Sequence, residues 1–185
     1  MLVFIIIWAS WLVSEILLAR FLRAKSPKTK TWDKNSLNFM WITIGVSVSL
    51  GVVSMIFAPL PVSKSPLFAY LGLILILSGI VIRFFAIRTL AHFFTVNLAI
   101  HHDHQLIIKG LYKFIRHPSY AGSLLSFVGL GFSFNNWLSL IVIVLPILIS
   151  FIYRINVEEK LLEKQFGPAY IQYKTSSKRL VPRIY

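Results

Sequence analysis

The stretch GLYKFIRHPSYAG (110–122) sets Lys113, Arg116, His117 and Pro118 directly before an apolar run that begins near Tyr120. Pro118 disfavours a helical conformation at His117 and so gives an extended or turned entry into a helix. Proline is well suited to the first helical position, and the backbone N–H groups that follow it lack partners at the positive end of the helix dipole. Such an end holds a carboxylate or another anion well. Tyr112 and Tyr120 add rings that stack or hydrogen-bond. Arg116 is open to two readings, as part of this constellation or as a cation that anchors the chain at a membrane surface.

Other polar groups fall into small sets. HHDHQ (101–105) carries imidazoles and a carboxylate, both zinc ligands. It lacks one-turn ligand spacing and there is no HExxH, so it reads as a solvated loop or a source of hydrogen-bond donors and not as a metal site. Arg154 and Glu158 are spaced i, i+4, which places them on one helix face. They form either an intrahelical ion pair with a snorkelling arginine or a polar patch that holds a charged ligand. Glu15 and Arg83 lie within apolar runs, where ionisable groups are expensive; a mutual pair or snorkelling accounts for them.

The elements that position these groups are apolar. The 185-residue chain is 57% hydrophobic and only 14% charged, with mean hydropathy +0.75; soluble domains carry about 25% charged residues. Having no cysteine, it has no disulfide, thiolate metal site or cysteine nucleophile. Its formal charge of +13 fits membrane orientation and anionic lipid better than nucleic acid. A window of about 19 residues predicts spans at 2–22, 38–58 and 67–88, and a long run at 120–153. Asn135-Asn136 divides that run into a helical hairpin, 120–134 and 137–153. The first of these is about 22 Å long at 1.5 Å per residue. The first run lacks a basic n-region and a cleavage site, so it reads as a retained span. Gly45, Ser49 and Gly51 in the second span, with Gly72 and Gly79 in the third, fit small-residue helix packing. The helix after the last span is predicted to reach about Phe166 and to stop at Gly167-Pro168.

The expected fold is therefore an all-α integral membrane protein, one domain over 1–185 with five transmembrane helices. Arg20, Arg23, Lys25, Lys28, Lys30 and Lys34 flank the first loop, and Arg88, Lys109, Lys113 and Arg116 fall in the third. The second loop has Lys64 alone. The positive-inside rule then puts the N-terminus outside and the C-terminus in the cytoplasm. All five histidines, and Glu158, Glu159 and Glu163, gather on that cytoplasmic face.

HQLIIKGLYKFIRHPSYAG (104–122), then R-x-x-x-E-E (154–159) and FGPAYIQYK (166–174), resemble the isoprenylcysteine carboxyl methyltransferase family. That family lies within a wider group of integral-membrane methyltransferases that includes phospholipid methyltransferases. The likeness covers residues 104–185; Ile107 replaces the family's valine. It implies that S-adenosyl-L-methionine binds in a cytoplasmic pocket built from about 97–185. His104, Gln105, Leu106, Ile107, Tyr112, His117, Pro118, Ser119 and Tyr120 would then contact that cofactor, with Glu158 as its acidic contact and Arg154 meeting the substrate. Asn97 stands where the family often has glutamine and joins the cofactor set on that basis.

The residue types suit that chemistry. The cofactor's carboxylate needs N–H donors and a cation, and its amine and ribose hydroxyls need an acceptor. Methyl transfer is an in-line displacement, helped by positioning in a dry site. A carboxylate nucleophile, ionised at neutral pH, needs only an orienting guanidinium such as Arg154. An amine or phenol would need a base, for which Glu159 or a loop histidine is the candidate. So much apolar chain suits a lipidic or prenylated small-molecule substrate taken from the bilayer, with membrane lipids around the protein; nothing in the sequence specifies an oligomeric state. The activity expected is carboxyl O-methylation of an isoprenylcysteine-type substrate. The alternatives are N-methylation of a phospholipid, O-methylation of a hydrophobic phenol or polyketide, an NADPH-dependent membrane reductase, and a non-catalytic lipid-binding protein.

Overall fold

The computed structural model describes residues 2–21, 35–91 and 106–182. Among them are six α-helices, α1 (Leu2–Phe21), α2 (Asn35–Phe57), α3 (Leu67–Leu90), α4 (Pro118–Ser133), α5 (Trp137–Phe166) and α6 (Pro168–Ser176), with one 3₁₀ turn at Gly110–Lys113. The basic first loop, 22–34, lies outside the described residues.

Helices occur at all five places where the hydropathy predicts spans. Of the described residues, α2, α3 and α5 are long and apolar enough to cross a membrane, whereas the apolar stretch of α1 is the shorter Val3–Leu17. At 16 residues, α4 is about 24 Å long, less than the ~30 Å hydrocarbon layer. The outward faces of α2 and α3 carry Ile42, Val53, Phe57, Leu67 and Ile74 in the open, as lipid-facing helices do.

Glycines set the closest helix pair. A Cβ on Gly122 would lie 2.7 Å from the Gly79 carbonyl oxygen, and one on Gly129 would lie 2.6 Å from that of Gly72. The backbones of α3 and α4 therefore touch, as small residues allow in membrane bundles. Ser126 Oγ donates to Ile76 O across the seam at 3.2 Å. On the other side α2 packs against α5, where Ser139 Oγ donates to Gly51 O at 2.7 Å. The expectation for the second span is only partly met: Gly51 lies against Ile143, but Gly45 has open space beside it and Ser49 is exposed. These two point away from the α5 seam.

The Asn135-Asn136 turn is tied on both sides. Asn135 takes a positive φ of 50° and its Nδ2 donates to Ser63 O at 2.8 Å. Asn136 caps α5 by accepting from Ser139 N at 3.0 Å and donates through Nδ2 to Ala58 O at 2.8 Å. The 30-residue α5 is about 45 Å long. Its apolar run ends at Tyr153, and Arg154–Phe166 is polar. Gly167, at φ 54°, ends it one residue before Pro168 opens α6, as the sequence predicts.

The core runs between these helices through Trp11, Leu37, Met40, Leu73, Ile76, Phe127, Leu130, Phe134, Ile143, Ile147 and Phe151. Within it, Trp8 Nε1 donates to Ser133 Oγ at 3.0 Å, which ties α1 to the end of α4.

Candidate active site

Pro118 opens α4 at its first helical position, where its missing N–H sacrifices no helical bond. The first backbone bond of the helix returns from Ala121 N to His117 O at 3.1 Å. The start of α4 is held from α3: Arg83 Nη1 donates to Ser119 O at 3.3 Å and to Ser123 Oγ. Arg83 Nη2 in turn pairs with Glu15 Oε2 of α1 at 3.2 Å. The two ionisable groups at depth thus form the mutual pair and fix the wall that Ser119 and Tyr120 belong to.

On α5, Arg154 is fully buried and donates to Ser36 Oγ in the first turn of α2. Glu158, one turn further, accepts from the Tyr120 hydroxyl at 3.2 Å, and that phenol is within hydrogen-bond reach of Arg154 as well. The i, i+4 spacing has placed cation and carboxylate on one face, both directed at a phenol from α4. Tyr120 and Glu158 are half-buried and Arg154 is enclosed behind them. Tyr112 is buried, and burial pushes its phenol up, well above the usual tyrosine range.

Glu159 faces elsewhere, because the next residue on a helix is rotated by about 100°. Its Oε1 accepts from Arg116 Nε at 2.8 Å and lies 3.3 Å from His117 Nε2. Its Oε2 accepts from Arg179 Nη2 at 3.0 Å and faces Lys174 Nζ at 3.7 Å. Burial alone would raise this carboxyl, but hydrogen bonds and positive charge from His117 and Arg116 more than offset it and hold it down to about 2. A carboxylate so held is a weak proton acceptor.

Arg116 is buried as well. It is not a lipid anchor, since its Nη1 donates to Lys174 O at 3.2 Å and to Ser177 O. The backbone around it is stitched to the C-terminal segment. Arg116 N donates to Lys178 O at 2.7 Å, His117 N to Arg179 O at 3.0 Å, and Lys178 N to Phe114 O at 3.0 Å. Tyr173 Oη of α6 donates to Tyr112 O at 2.5 Å. Helix α6 and residues 177–180 thus seat the 110–118 wall against the polar half of α5.

Tyr112, His117, Pro118, Ser119, Tyr120, Arg154, Glu158 and Glu159 are therefore gathered at one end of the bundle. Leu106 and Ile107 stand half-buried ahead of the 3₁₀ turn and share no hydrogen bond with that cluster among the described residues. The assignments at Asn97, His104 and Gln105 lie outside the described residues, as does HHDHQ. Among the described residues no group of three or more His, Cys, Asp or Glu could hold a metal ion. Sequence reasoning missed Ser36, which no local pattern marks. It also gave no separate role to Lys174, Ser177 or Arg179. Lys174 and Arg179 carry only their charge as a signal, and Ser177 carries none.

Apolar helices closed at one end over a buried set of guanidinium, carboxylate and phenol groups define an integral membrane protein with a polar site. The chain belongs to the phospholipid methyltransferase family: the model of that family matches residues 67–169, more than half of the chain. Its curated relatives include a probable protein-S-isoprenylcysteine O-methyltransferase of Oryza sativa subsp. indica, 37% identical over 107 residues, which are 57% of this chain and 56% of the relative. Protein-S-isoprenylcysteine O-methyltransferase A of Arabidopsis thaliana is 36% identical over 113 residues, 60% of this chain and 57% of the relative. The protein-S-isoprenylcysteine O-methyltransferase of Saccharomyces cerevisiae is 37% identical over 106 residues, 56% of this chain and 44% of the relative. The chain spans about half the length of the curated relatives it matches. A solved structure of a eukaryotic intramembrane Ras methyltransferase, isoprenylcysteine carboxyl methyltransferase, superposes with a TM-score of 0.62 at 23% identity, over 97% of this chain and 63% of that one. The two share a fold.

Proposed function

We propose that the protein is an S-adenosylmethionine-dependent methyltransferase that forms a carboxyl methyl ester on an isoprenylcysteine-type substrate at the membrane surface. The observation that carries this reading is the convergence of Arg154 and Glu158 on Tyr120 beside the start of α4. The donor set suits the cofactor: Glu158 takes a positive amine or ribose hydroxyls, and the start of α4 with His117 faces an anionic group. Tyr112, Ser119 and Tyr120 wall that space, and Asn97, His104, Gln105, Leu106 and Ile107 complete it on the strength of the family pattern. When bound, S-adenosylmethionine supplies an activated methyl group.

The chain's own residues do the rest. Arg154, shielded from water by α2 and α4, presents a guanidinium that grips a substrate carboxylate at two points. That carboxylate is already ionised, so no base is required, consistent with a Glu159 committed to holding the wall. In this reading α1 to α5 sit in the bilayer, α4 the shortest of the five. The N-terminus is outside, and the pocket and C-terminus face the cytoplasm. A lipidic or prenylated substrate, whether small or carried on a protein, enters sideways between helices.

N-methylation of a phospholipid is the second reading, favoured by the family whose model matches 67–169. Purified protein titrated with S-adenosylhomocysteine in a calorimeter should give heat; silence there, with binding of NADPH instead, would sink the methyltransferase. Transfer of tritiated methyl from S-adenosylmethionine is then measured on prenylcysteine, phosphatidylethanolamine and alkyl phenols. Base-labile label on prenylcysteine selects the carboxyl reaction, and base-stable label on phosphatidylethanolamine selects the second reading.

A further inference from the structure

Tyr170, in the first turn of α6, is 1% exposed, yet its hydroxyl is buried with no hydrogen-bond partner. A buried phenol almost always finds a partner, and leaving it without one destabilises a fold. Its neighbour on the same face of α6, Tyr173, is the contrast: three residues on, it donates to Tyr112 O, and the two rings meet edge to face at 5.9 Å. Since residues i and i+3 share a helix side, Tyr170 is directed toward the side on which Tyr173 meets the 110–118 wall.

Burial, and then the negative charges of Glu159 and Glu158, push the Tyr170 phenol up, well above the usual tyrosine range. It is therefore a neutral group that both donates and accepts at any working pH. Glu158 and Glu159 are close enough for their charges to act on it, although neither bonds it. The arrangement is a hydrogen-bonding group enclosed at the edge of the polar cluster and left unused by the chain.

We infer that the Tyr170 hydroxyl is a contact for the bound methyl donor, closing the α6 side of the space whose opposite edge is Tyr120 and Glu158. This rests on the methyltransferase reading. It adds to that site a residue from FGPAYIQYK that neither the cofactor set nor the substrate arginine includes.

The test is Tyr170→Phe, which keeps the ring and removes only the hydroxyl. In ligand-free protein, melting should stay level or rise, because an unpaired buried hydroxyl is gone. Tyr173→Phe, which loses a made hydrogen bond, should melt lower. With S-adenosylhomocysteine added, Tyr170→Phe should bind about tenfold more weakly, as expected for one lost hydrogen bond, and its ligand-induced rise in melting temperature should shrink to match. If wild type and Tyr170→Phe are stabilised equally by S-adenosylhomocysteine, the Tyr170 assignment falls and the methyltransferase reading stands. If S-adenosylhomocysteine stabilises neither, both fall.

Discussion

Ser36 Oγ accepts a hydrogen bond from the guanidinium of Arg154 across 118 residues of sequence. Both side chains are almost completely buried, so the first turn of α2 helps set where the cation at the end of the apolar part of α5 points. Ser36→Ala should lower methyl transfer about tenfold, the effect of one lost hydrogen bond to a charged group. Affinity for S-adenosylhomocysteine should be unchanged. Steady-state kinetics beside calorimetry separate the two, and a parallel loss of cofactor affinity would mean that Ser36 merely supports the fold.

Arg154 itself should behave as a substrate residue. Arg154→Ala is expected to abolish measurable turnover and to leave S-adenosylhomocysteine binding within a few-fold of wild type. Arg154→Lys keeps the charge but loses the two-point geometry, and should recover only a small part of the rate. Equal loss of turnover and cofactor binding in Arg154→Ala would move the residue into the cofactor site.

Glu159 predicts an acid limit. Its carboxyl, held down to about 2 in the fold against an ordinary value of 4.5, binds protons more readily when unfolded. The stability it lends is complete above about pH 4.5 and is lost as pH falls toward 2, a term on the order of 3 kcal/mol. Glu159→Gln lacks that titration. Melting of detergent-solubilised protein across this range should show the gap between wild type and Glu159→Gln closing as pH falls; a constant gap would show that the charge of Glu159 is not what matters.

Two glycines give opposite expectations. A Cβ at Gly129 would press on the backbone of Gly72 and Ile76 at 2.6 and 2.7 Å, atoms that cannot swing aside. Gly129→Val should therefore cost about 1–3 kcal/mol and lower the melting temperature. Gly45 meets nothing within 4 Å, so Gly45→Ala should be neutral or stabilise by up to about 1 kcal/mol through helix propensity alone. Thermal melts of the pair check this directly.

What the sequence made legible follows from the range of each signal. Helix positions, the Asn135-Asn136 turn and the stop at Gly167 rest on hydropathy and on residues acting within one turn of themselves. The i, i+4 pairing of Arg154 with Glu158 is equally local, and it correctly put both on one face. Composition alone did not show that Gly45 and Ser49 point away from the α5 seam, because small residues also occur where nothing approaches. The division of labour between Glu158 and Glu159 was hidden for a related reason. Adjacent glutamates look equivalent in sequence, and only the arrival of Arg116, His117 and Arg179 at one of them tells the two apart. Ser36 could not have been found locally, since its meaning depends on a helix 118 residues away.

The stitch between residues 114–117 and 178–179 also orders events in time. Each apolar helix can enter a bilayer as it is made, but the bonds from Arg116 and His117 to Lys178 and Arg179 must wait for the far side of α6. Insertion and site assembly are thus separate stages of the protein's biogenesis. A chain cut after α6 would keep helices α1 to α6 and lose the clasp that holds the 110–118 wall in place.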